Sequence, residues 1–158
     1  MLTHPASPTL LGADDSDLPY DVVRHVADGL TDGRAHWDDL SGGQQIVLMV
    51  TELMMEVNSG GFQGYLVWDA GVRRFSALTA LAEVGGQKHA QLLRSALDRL
   101  RPEDRASVDT HLQDALQGLS GDDPFCDLDA EFWTLGEPSD LASYVRTNPD
   151  EFFGSQSE

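Results

Sequence analysis

Glu52 and Glu56 are the residues with the clearest chemical potential in this chain. They are two carboxylates four residues apart in an otherwise apolar stretch, followed at once by Asn58. Glutamates at i and i+4 of a helix share a face. Such a pair could share a proton as acid and base, or hold a divalent cation. A second use is a recognition pocket, with the two acids and Asn58 standing beside Tyr65 and Trp68. A third is structural: the glutamates accept backbone or arginine hydrogen bonds, and Asn58 caps the turn that follows.

The first use lacks supporting residues. His25, His36, His89 and His111 are scattered, with no His-Glu-x-x-His and no Cys/His cluster, so no metal is expected. Cys126 is the single cysteine, and Asp122, Asp123 and Asp127 surround it with negative charge, the wrong setting for a nucleophilic thiolate. It reads as a small core residue. Neither a Gly-x-Ser-x-Gly elbow nor a dinucleotide fingerprint is present, so no cofactor and no enzymatic activity are expected. Leu40-Ser41-Gly42-Gly43-Gln44-Gln45 matches the signature peptide of ATP-binding-cassette ATPases, but that peptide acts on a nucleotide held by a P-loop. The sole lysine, Lys88, is followed by His89 and cannot belong to one. Ser41 with Gln44 three residues later, just before an apolar run, instead predicts a capping box.

The elements that must position these residues read as helices throughout. Leu18, Val22, Val23, Val26 and Leu30 describe a one-sided helix with Pro19 in its first turn, ending near Gly29. From Gly43 to Asn58 apolar side chains cover most of the circumference, which predicts a central, buried helix. Ser59-Gly60-Gly61 supplies a glycine stop in which Gly60 or Gly61 takes a left-handed conformation. A short helix with Phe62, Tyr65 and Leu66 on one face follows. Further helices are marked by Phe75, Leu78, Leu81 and Ala82; by His89 to Leu100; and, after Pro102, by Val108, Leu112, Ala115, Leu116 and Leu119 facing inward. Helices over Asp127–Trp133 and Ser139–Thr147 finish the pattern, closed by Asn148-Pro149. No stretch alternates convincingly, so the predicted fold is all-α, a single domain over residues 14–153 with a loose arm over 1–13 and a short tail over 154–158.

Charge sets the widest limits on function. There are 27 acids against 10 bases, a net charge of −17. Such a chain is repelled by nucleic acid and by anionic membranes and is attracted to basic partners. No signal-peptide pattern and no long apolar run occurs, which leads to the expectation of a soluble, cytoplasmic protein. The charges are uneven: seven of the ten bases fall within residues 73–105, and the acids concentrate in residues 14–39 and 122–158.

Glu52-Leu53-Met54-Met55-Glu56-Val57-Asn58-Ser59-Gly60-Gly61-Phe62, and later Phe132-Trp133 with Tyr144-Val145-Arg146-Thr147-Asn148-Pro149-Asp150-Glu151-Phe152, resemble the two motifs of a widespread bacterial family. Much of that family is known only as a domain of unknown function, and its best-known type is a DNA-mimic protein. The resemblance covers about residues 18–153. It marks Glu52, Glu56, Asn58, Gly60, Gly61, Phe62, Tyr144, Pro149 and Phe152 as the motif, mainly structural. It implies an α-helical, dimeric domain whose surface carboxylates stand in for phosphates and bind a basic, DNA-binding transcription regulator. The acids expected on outer faces and loops are Asp14, Asp15, Asp21, Asp28, Asp38, Asp39, Asp122, Asp123, Asp127, Asp129 and Glu131. Two alternatives stay open: an acidic helical domain whose charge is only compositional, and an enzyme or metal site at Glu52/Glu56.

Overall fold

The computed structural model describes residues 5–67, 69–106, 111–117, 119 and 123–154, and among these there is no strand. Nine α-helices occur in the described residues: α1 Leu18–Thr31, α2 Gly42–Val67, α3 Arg74–Glu83, α4 Gln87–Asp98, α5 Pro102–Ala106, α6 His111–Gln117, α7 Cys126–Leu135, α8 Leu141–Thr147 and α9 Pro149–Phe153. The predicted all-α architecture is what forms. α2 runs through the middle and packs against α1, α3, α6, α7, α8 and α9.

The start of α2 follows from its residue types. Ser41 Oγ accepts from the Gln44 amide at 3.0 Å, and Gln44 Oε1 accepts from the Ser41 amide at 3.0 Å, the predicted capping box. A third acceptor comes from the far end of the chain: Glu151 Oε2 takes the Gly43 amide at 2.9 Å. Ser41 Oγ in turn donates to the Glu151 carbonyl at 2.7 Å. Beyond this cap Val47, Val50, Leu53 and Val57 are fully buried. Each such side chain contributes about 1.5–3 kcal/mol relative to exposure.

α2 breaks where glycines were expected to stop it, and the break is at Gly61 (φ 67°, ψ −175°). This is not the left-handed helical conformation of an ordinary C-cap but an extended one open essentially to glycine alone. A second helical segment therefore starts at Phe62 instead of the first winding onward.

Within residues 5–13, Pro8–Gly12 forms a 3-10 turn, Ala6 is buried, and its amide donates to the Phe152 carbonyl at 2.8 Å. Several expectations are corrected. Phe75 and Ala82 are exposed, and Arg74, Ala77, Ala80 and Leu81 fill the inner face of α3. Arg74 can be buried because its guanidinium donates to the Gly71 and Arg105 carbonyls at 3.0 and 3.2 Å. Cys126 is exposed, in the first turn of α7. Pro149, read as a terminator, opens α9, a role its fixed φ and missing N–H suit. Val108, Trp68 and the tail from residue 155 lie outside the described residues.

Candidate functional site

Glu52 and Glu56 are both half-buried, on one side of α2, and Asn58 is exposed. Glu52 reaches a groove of about 350 Å³ between α1 and α2; Glu56 is absent from its lining. The two carboxylates thus do not converge on the groove. Tyr65, proposed as a pocket neighbour, is 1% exposed. Burial, with the nearby Glu52 charge, raises its phenol well above the usual range. Among the described residues no group of three or more His, Cys, Asp or Glu side chains is arranged to hold a metal ion. His89 is a core residue, its Nε2 2.7 Å from the Gly136 carbonyl and its ring edge-on to Phe132.

The rest of the first motif is held by α7. A helix break leaves amides without acceptors on one side and carbonyls without donors on the other. Asp129, 5% exposed, places Oδ1 2.8 Å from the Phe62 amide. Trp133, at i+4 on the same face of α7, donates its indole N–H to the Val57 carbonyl at 3.2 Å. The Asp129 carboxylate lies over Gly61, where an added Cβ would sit 2.9 Å from its Cγ. Phe62 packs edge-on to Phe132 and Phe125. The second motif holds the other end of α2: Phe152 is buried beside Tyr144, and Glu151 supplies the cap at Gly43.

The candidate acids do not share one fate. Asp129 is a buried helix cap and is corrected out of the outer surface; burial raises its carboxyl, partly opposed by the Phe62 amide. Asp127 forms a two-pronged pair with Arg99 at 2.7 and 2.6 Å, which pulls its carboxyl down to about 2. Asp15 is bound by Arg146 at 2.9 Å and Asp21 lies 3.6 Å from Arg24. Asp39 and Asp123 accept backbone amides at His36 and Phe125, as local turn caps, yet remain exposed. Asp14, Asp28, Asp38 and Glu131 are exposed. Asp122 lies outside the described residues.

Two acids that carry no expectation from the sequence complete a pattern. Asp17 and Asp32 flank α1, both in helical backbone geometry. With Asp21 and Asp28 they fall within about 60° around the helix and span roughly 22 Å. Their spacing of 4, 7 and 4 residues was the available signal.

The basic segment makes no opposing face among the described residues. Arg99, Arg101 and Arg105 are bound to Asp127, Asp104 and Asp98, Arg73 lies 3.7 Å over the Trp37 ring, and Arg74 is buried. Lys88 and Arg94 stand exposed on α4.

Fold and surface together define an all-helical domain with a central broken helix, most of its arginines tied down locally, and a surplus of carboxylates outside. The chain belongs to the DMP19-like protein family, whose model matches residues 38–148. That match is narrower than the resemblance over 18–153: α1 and the residues from Pro149 onward fall outside it. Comparison with curated proteins and with solved structures gave no match. No helix of the described residues is long and apolar enough to cross a membrane.

Proposed function

We propose that this protein binds a basic, DNA-binding regulator in the cytoplasm by presenting carboxylates where that regulator expects phosphates, and that it has no enzymatic role. The observation that carries the reading is the row Asp17, Asp21, Asp28 and Asp32 along α1. DNA advances about 3.4 Å per phosphate on each strand, so a row of roughly 22 Å matches the length of six or seven nucleotides. It carries fewer charges than DNA over that length, with Asp14, Asp15 and Asp38 adding to the field. Arg24 and Arg34 pair with Asp21 and Asp32 at 3.6 and 2.8 Å; both arginines and Asp32 are well exposed, and Asp21 is half-buried. Exposed pairs contribute only about 0–1 kcal/mol, so arginines or lysines of a partner can replace them.

Family membership supports the class of function, and the helical scaffold supports a rigid display. The test is capture of DNA-binding proteins on the immobilised protein at low salt, followed by competition with duplex DNA. Release by DNA and by high salt is expected, because the contact is electrostatic. Replacing the four aspartates of the row by asparagine should weaken capture at least about tenfold. Capture of no basic protein, or capture that duplex DNA leaves untouched, overturns the proposal.

A further inference from the structure

The groove between α1 and α2 is not explained by charge imitation. Val23 and Ala27 of α1 face Leu48 and Met55 of α2 across it, so its floor is apolar. Met55 is 56% exposed, although the same helix buries Met49, Val50, Leu53 and Met54. Duplex DNA presents a polar, charged backbone and offers nothing that needs such a trough.

The rims carry the opposite chemistry. Glu52 stands on the α2 side, and Arg24, tied to Asp21, on the α1 side. Asp21 and Asp28 lie beyond Arg24 on α1, about 120° around the helix from the mean direction of Tyr20, Val23 and Ala27. Tyr20 closes one end; burial, together with the hydrogen bond of its hydroxyl to Glu137, raises the phenol to about 12.

We propose that this groove receives the apolar side of a short, basic amphipathic helix of the partner protein. The inference rests on the proposed function and adds to it a site and a kind of segment. From Tyr20 to Ala27 the groove runs roughly 10 Å along α1, the two turns over which a docked helix places apolar anchors at i, i+3, i+4 and i+7. Glu52 on the α2 rim, with the aspartates of α1 beyond Arg24, favours basic flanks on that helix. Met55 is suited to the contact, because an unbranched thioether adapts to the side chain it meets.

Two synthetic helical peptides of equal positive charge test it, one with leucines along one face and one with glutamines in their place. Binding is followed by fluorescence anisotropy at low and high salt, with wild type, Met55→Gln and Ala27→Gln. The leucine peptide should bind at least about tenfold tighter, and part of this preference should survive high salt. Both variants should reduce the preference and leave the glutamine peptide unchanged; circular dichroism confirms that they are folded. Equal affinity for the two peptides, or a preference that neither variant alters, overturns the groove while leaving charge imitation standing. Failure of both peptides to bind at low salt overturns both readings. If Met55→Gln converts a dimer to a monomer in sedimentation, a second copy fills the groove and the proposal is overturned.

Discussion

The Phe62 amide donates to Asp129 Oδ1 across 2.8 Å, linking residues 67 positions apart at the point where the central helix breaks. Asp129→Ala leaves that amide buried without an acceptor and should cost about 1–3 kcal/mol. Asp129→Asn keeps an oxygen in place and loses a charge that burial disfavours, so it should be far milder. Urea denaturation of the two variants checks the order.

Gly60 and Gly61 should respond oppositely to alanine. At Gly61 an added Cβ meets the Asp129 carboxylate and the backbone lies in a region closed to alanine, so the cost should exceed the roughly 1–3 kcal/mol of the backbone strain alone. Gly60 is helical with open space around it, so Gly60→Ala should stabilise by up to about 1 kcal/mol. Thermal melts compare the pair directly.

Asp127 and Asp129, one residue apart from adjacency on α7, should slope in opposite directions with pH. The Asp127 carboxyl is depressed to about 2 by Arg99, so its contribution is present above the unfolded value near pH 4 and lost as pH falls toward 2. Asp129 is raised by burial, so its contribution is full below about pH 4 and lost as pH rises through its folded-state value. Stability–pH curves of Asp127→Asn should lose the first slope, and those of Asp129→Asn the second.

Glu151→Ala removes the acceptor of the Gly43 amide and should cost about 0.5–2 kcal/mol, as lost helix caps do. Glu151→Gln retains an acceptor oxygen and should recover much of that in the same denaturation assay.

Arg146 donates to the Leu11 and Ala13 carbonyls at 2.6 Å each and to Asp15 at 2.9 Å. Arg146→Ala should raise amide exchange over residues 10–15 by roughly tenfold or more, the effect of about 1.4 kcal/mol of local opening, while α2 stays protected.

The features legible in sequence are those fixed within a few residues. The apolar stripe of α1, the Ser41/Gln44 box and the glycine break each follow from local spacing. What escaped depends on groups that meet only in the folded chain. Asp129 resembles any acid on the outside of a helix until the Phe62 amide is set against it. Arg74 displaces Phe75 from the core because carbonyls at Gly71 and Arg105 await a donor. The anchors of residues 5–13, Phe152 and Arg146, lie at the other end of the chain. The candidate site follows the same division: the acidity could be counted, but which carboxylates cap helices and which face outward could not.

The broken helix also bears on how the domain comes together. Its caps arrive late in the chain, from Asp129 and Trp133 at the interruption and from Glu151 at the start. During synthesis the central segment is made before any of these partners, so its exposed backbone groups must stay hydrated until α7 and α9 emerge. The last third of the protein therefore acts as a closing clasp, and a chain cut before Asp129 would lack the groups that complete its own middle.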